Sequence, residues 1–271
     1  MIPLWLLAIV ALVAATASSF TDLYPTVASR LLFAGSIEAN SGLIALTGRP
    51  FDLSTIGGMT AWRVAGSGGL FAGIMSLLLV VRHTRAEEES NRLELLGSGV
   101  VGRYAPLTAG LLTALMANLA LAVLVALSLI GMGQAAAGSI ALGLGYAACG
   151  TVFGAAAAVS AQLTESARAA NGITSALLGA AYLLRAVGDS AGPGWLSWLS
   201  PIGWAQQVRA FAGERWWVLV LALGVAGTLG ALGYRLAGRR DLGEGVLPAR
   251  PGPARGAGWL RSPFALAWRL Q

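Results

Sequence analysis

Arg82-His83-Thr84-Arg85-Ala86-Glu87-Glu88-Glu89-Ser90-Asn91-Arg92-Leu93-Glu94-Leu95-Leu96 is the stretch that decides the architecture. It is a dense charge cluster in a chain that is otherwise nearly all apolar. Val64–Val81 precedes it and Ala105–Leu129 follows, and neither run contains an ionisable residue. A helix needs ~20 residues to cross a hydrocarbon core of ~30 Å, so both runs read as membrane spans. The cluster between them reads as a short water-exposed helix, a place where a soluble partner can push on a membrane domain. Within it, Glu88 and Arg92 lie four apart with the acid first, the better orientation for an exposed pair. Leu93 and Leu96 form a small apolar face opposite the charges. The predicted face of Glu87, Glu88 and Glu89 points to water, and three adjacent acids beside a bilayer require something basic to meet them. A solvated loop that balances its own charges is the competing reading.

Composition supports the membrane class. Charged residues are 11% of 271, hydrophobic residues 56%, and mean hydropathy is +0.71. A soluble domain of this size needs far more polar surface. Closed barrels would show ~10-residue alternation, and long unbroken apolar runs exclude them. The expected fold is an all-α, polytopic helical membrane protein. Its spans fall at about 3–19, 64–81, 105–129, 138–161, 171–187 and 216–236, with a short cytoplasmic coupling helix after the second.

All 18 basic residues are arginine. With the N-terminus inside, twelve lie in inner loops and six in outer ones, so the positive-inside rule places both termini in the cytoplasm. The net charge of +6 is thereby explained by orientation, and no nucleic-acid partner is expected. Ala15-Thr16-Ala17 resembles a signal-peptidase site, but the basic residues that open a signal peptide are missing before Leu4, which favours an uncleaved first span.

The segments outside these spans carry less regular signals. Residues 18–63 are polar and broken by Tyr24-Pro25, Gly48-Arg49-Pro50 and Asp52. Residues 189–215 hold Trp195, Trp198 and Trp204, with Trp216-Trp217 at the next span. An interfacial aromatic belt is the favoured reading of these rings; an element folded back near a substrate exit is the alternative. Arg185, late in the fifth span with Asp189 four residues on, reads as an arginine snorkelling to the outer interface. Small residues at helix-packing spacings (Gly69 and Gly73, Gly150 and Gly154, Ser175 and Gly179, and the series from Gly224 to Gly233) predict close helix packing. After Arg239, residues 239–261 form a Gly-, Pro- and Arg-rich linker. Ser262-Pro263 then opens an apolar run that reads as a helix start and suggests that the sequence is part of a longer one.

Catalytic and metal chemistry find no support. Cys149 and His83 are each single, which leaves no disulfide, metal pair or nucleophile–base pair. With no lysine there is no Gly-x-x-x-x-Gly-Lys phosphate loop. No acid lies at mid-span to couple an ion gradient.

Arg82–Glu89, then Arg92–Leu96 and Val101-Gly102-Arg103, resemble the coupling-helix region of ABC exporter permeases, in the subgroup of polyketide-antibiotic exporters. Leu183–Asp189 followed by Trp195–Trp204 is similar to that subgroup's outer region, and the resemblance covers most of residues 3–238. It implies a permease that moves hydrophobic drugs or polyketide-type antibiotics out across the cytoplasmic membrane. It further implies that ATP is bound by a separate ATPase subunit, leaving this chain no cofactor and no enzymatic step. Arg85, Glu87, Glu88, Glu89, Arg92, Glu94 and Arg103 would form the ATPase-coupling helix. Arg185, Asp189, Trp198, Pro201 and Trp204 would form the outer motif. The chain departs from the family where Ser90-Asn91 replaces a frequent glycine, which changes where the helix can bend. Family members commonly carry two six-span halves, each opened by an amphipathic helix. Residues 1–238 would be one half and 262–271 the opening of the next, with a second half linked or supplied as a dimer. An ion-coupled carrier and a non-transporting scaffold are the alternatives.

Overall fold

The computed structural model describes residues 1–38, 40–90, 102–240, 245–246 and 262–270. All the regular structure among them is helical. The helices are α1 Ile2–Leu23, α2 Val27–Glu38, α3 Ser41–Thr47, α4 Ile56–His83, α5 Arg85–Glu89, α6 Ala105–Gly131, α7 Ala136–Leu163, α8 Ala167–Ser190, α9 Pro201–Gln207, α10 Trp217–Ala237 and α11 Pro263–Leu270. A short 3-10 turn, Gly194–Leu199, precedes α9.

Five helices are long and apolar enough to cross a membrane: α1, α4, α6, α7 and α10. The sixth predicted span lies in α8, which is 24 residues long but amphipathic. Its buried face (Ala170, Thr174, Leu178, Ala181, Arg185) recurs at helical spacing and packs on α4 and α7. The second span begins eight residues before the predicted Val64. Thr55 caps α4 there by accepting from the Gly58 N–H at 3.0 Å, and the small residues Gly57, Gly58 and Thr60 are buried against neighbours rather than lying in a loop.

The central post is α7, enclosed by α4, α6, α8 and α10. Close packing in lipid depends on small residues that let backbones approach. Gly143 sits so near α6 that an added Cβ would lie 2.4 Å from the Ala122 carbonyl oxygen. Gly68 of α4 lies beneath the Tyr146 ring, and the Tyr146 hydroxyl donates to the Val64 carbonyl at 2.9 Å, which satisfies a fully buried group. Asn118 of α6 donates to Ser76 of α4 at 2.8 Å. Cys149 is buried on α7 beside Gly69. The predicted pairs Gly69/Gly73 and Gly150/Gly154 make contacts of this kind, whereas Gly179, Gly224, Gly227 and Gly230 face open space.

Two layers close the end opposite α5. One is a small cluster of Phe20, Ile37, Leu53, Met59 and Trp62, with Tyr24 and Phe33 against it. The other is the aromatic segment, which folds back into the bundle. Ser200 caps α9 by accepting from the Gly203 N–H, and Ile202, Trp204 and Ala205 are buried against α4 and α7. Trp195, Trp216 and Trp217 are exposed, whereas the belt reading fails for Trp204, which is buried and whose indole N–H donates to the Trp198 carbonyl at 2.6 Å.

Candidate functional site

Thr84 is the single residue between α4 and α5, and its φ of −120° and ψ of −84° break the helix there. The chain's N-terminus, the starts of α6 and α8 and the ends of α4, α7 and α10 all gather at this end, as the contact of Arg82 with Met1 illustrates.

Glu88 does not present its carboxylate to water. Its side chain is 9% exposed, and it accepts from Arg85, itself 1% exposed. It also accepts from both terminal nitrogens of Arg240, at 2.5 and 3.0 Å. Arg85 further donates to the Thr164 carbonyl, and Arg240 donates to Gln162 at 2.6 Å. A carboxylate between two guanidiniums, one of them bidentate, is a strong charge-assisted arrangement. The basic groups that meet the acid thus come from the same chain, one of them 152 residues away. Glu89 is exposed, and its Oε1 accepts from the Ala167 N–H at 2.8 Å. That is the first turn of α8, where an acid is favoured by unpaired N–H groups and the helix dipole. Arg103 donates to the carbonyls of Ala237 (3.2 Å) and Arg240 (2.5 Å), placing a cation at the last turn of α10. Glu87 is partly exposed. Arg92, Glu94 and the predicted Glu88–Arg92 pair lie outside the described residues.

The result is a knot. α5 is thereby tied to α4 through Thr84, to the α7–α8 junction through Arg85 and Glu89, and to the end of α10 through Glu88 and Arg240. Sequence reasoning missed Gln162, Thr164 and Arg240. The first two carry no local signal, and Arg240 reads only as one of many orienting arginines.

The outer motif is a second polar cluster at the opposite end. Arg185 is fully buried, not snorkelling. The segments α3 and Gly194–Leu199, read from sequence as surface, cover it. Its Nη2 donates to the Leu46 carbonyl at 3.0 Å, Nη1 lies 3.8 Å from Asp189, and the guanidinium stacks 4.6 Å over the Tyr182 ring. Asp189 accepts from the Ser197 hydroxyl at 2.6 Å. Arg49 donates to the Asp189 carbonyl at 2.7 Å, and Gln206 donates to the Thr47 carbonyl at 2.6 Å. Among the motif residues Arg185 pairs with Asp189, and Trp204 with Trp198; Pro201 opens α9. Arg49, Ser197 and Gln206 were not foreseen. Among the described residues no three His, Cys, Asp or Glu side chains are placed to hold a metal.

No family model matches the chain. It is 46% identical over 270 residues to the multidrug efflux system permease protein Rv1217c of Mycobacterium tuberculosis. The chain is a homologue of an efflux permease. The alignment covers 99% of the chain and 49% of that relative, so the chain spans about half the length of the protein it matches. This bears out the expected resemblance to an exporter permease, and it accords with the polytopic helical architecture.

Proposed function

We propose that this chain is one permease half of an ATP-driven ABC exporter. It moves hydrophobic drugs or polyketide-type antibiotics out through the cytoplasmic membrane. The ATPase is a separate subunit seated on the α5 end, with both termini on its side of the membrane. The observation that carries this reading is the 46% identity, over 99% of the chain, to one half of an efflux permease. The α5 knot supports the location of the drive, because a soluble motor needs a surface from which force spreads to several spans. The packed α7 at the centre of the bundle supports a path between two halves rather than through one. Among the described acids of α5, Glu89 is the most exposed to a partner, while Glu88 serves the knot.

Two experiments test the proposal. Reporter fusions after Leu43, Glu89, Gln162, Gly192 and Gly252 are expected to read out, in, in, out and in; an outside reading at Glu89 overturns the docking site. In vesicles, export of a hydrophobic dye is expected to require ATP, the ATPase and a second half. Full export by a demonstrated monomer, or flux driven by a proton gradient alone, refutes the reading.

A further inference from the structure

Helices α6 and α10 both pack on α7 but diverge from each other, which leaves a slot of about 330 Å³ between them that opens sideways. Its walls are apolar, with Leu111, Leu115, Ala155 and Leu223 among the lining residues. Gly227 and Gly230 line it with nothing within 4 Å of where a side chain would start. At the α5 end the slot is closed by the hydrogen bond between Thr108 and the Tyr234 hydroxyl, 2.8 Å, with the Tyr104 ring edge-on beyond. From Leu223 to Tyr234 the slot runs ~17 Å at 1.5 Å per helical residue. That is close to the depth of one leaflet, half of a ~30 Å core. Immediately beyond its closed end stand Arg235 and Arg239, both exposed, and neither guanidinium has a partner among the described residues.

We propose that the slot holds one acyl chain of an anionic glycerophospholipid from the leaflet at the α5 end, laid in through the open side, with the lipid passing outside the Thr108–Tyr234 bond to set its phosphate on Arg235 and Arg239. An apolar slot of one-leaflet depth fits a hydrocarbon tail, and cations at membrane-flanking positions attract anionic head groups. The inference rests on the membrane setting alone, so a failure of the export reading leaves it standing.

The test is native mass spectrometry of the purified protein after exchange into mixed phosphatidylglycerol and phosphatidylcholine. One phosphatidylglycerol per chain is expected to persist. A preference of about 25-fold over phosphatidylcholine follows from roughly a factor of five per surface guanidinium. Arg235→Gln with Arg239→Gln should remove the preference. Gly227→Leu with Gly230→Leu should remove the bound lipid, while Gly224→Leu, also in open space but outside the slot, should not. Equal retention by the slot-filled variant overturns the site, as does a wild-type protein with no preference. If filling the slot instead changes the oligomeric state and leaves lipid retention intact, the slot is a helix interface and the proposal falls.

Discussion

Glu88→Gln should loosen α5 from the bundle by a calculable amount. The carboxylate is 9% exposed and lies between guanidiniums that are 1% and 7% exposed. Truncating one partner of a buried charge pair costs roughly 2–5 kcal/mol. The lower end applies here, because Arg85 keeps the Thr164 carbonyl and Arg240 keeps Gln162. About 2 kcal/mol corresponds to an increase of roughly 30-fold in local opening, at 1.4 kcal/mol per factor of ten. Hydrogen exchange of the protein in lipid nanodiscs reads this directly. Amides of 85–90 and 164–170 should exchange roughly 30-fold faster in Glu88→Gln and in Arg240→Gln, while mid-α7 amides stay unchanged. Because both changes break the Glu88–Arg240 interaction, the double variant should be little worse than Glu88→Gln alone. Additive effects, or unchanged exchange in the singles, would show that the knot does not hold α5 and that force could not pass through it.

Arg185→Met should destabilise the protein by about 3 kcal/mol by leaving Asp189 buried without its cation. Adding Asp189→Leu should restore most of that loss, since an apolar pair replaces a buried ion pair at little cost; thermal unfolding followed by tryptophan fluorescence checks both. Gly143→Ala should cost about 1–3 kcal/mol, because its Cβ would meet the rigid backbone of α6 rather than a movable side chain. Gly227→Ala, in open space, should be neutral or stabilising by up to about 1 kcal/mol through helix propensity; the two melting temperatures, measured side by side, decide it.

The spans were legible because uninterrupted apolar runs leave few alternatives, and α6, α7 and α10 fall within a few residues of their predicted bounds. The N-terminal turns of α4 were not, because Gly57, Gly58, Thr60 and Arg63 lower local hydropathy without stopping the helix. Thr55 was a readable cap that apolar counting ignores. Arg185 was misplaced for a different reason. Its place near the C-terminal end of a helix is legible, but its burial depends on α3 and Gly194–Leu199 folding over it, contacts with no local sequence signature. The same holds at the α5 end. The acids of Glu87–Glu89 were identified from the sequence, while the inward turn of Glu88 is dictated by Arg240, whose partner no periodicity could name.

The burial of Cys149 inside α7 has a practical consequence. The chain's one thiol is shielded from aqueous reagents by its place in the bundle core, 1% exposed. A cysteine introduced at any exposed position will therefore be the dominant target of maleimide, spin-label or fluorophore chemistry in the unaltered background. Distances between the α5 end and the opposite end can then be followed in lipid without first re-engineering the central helix.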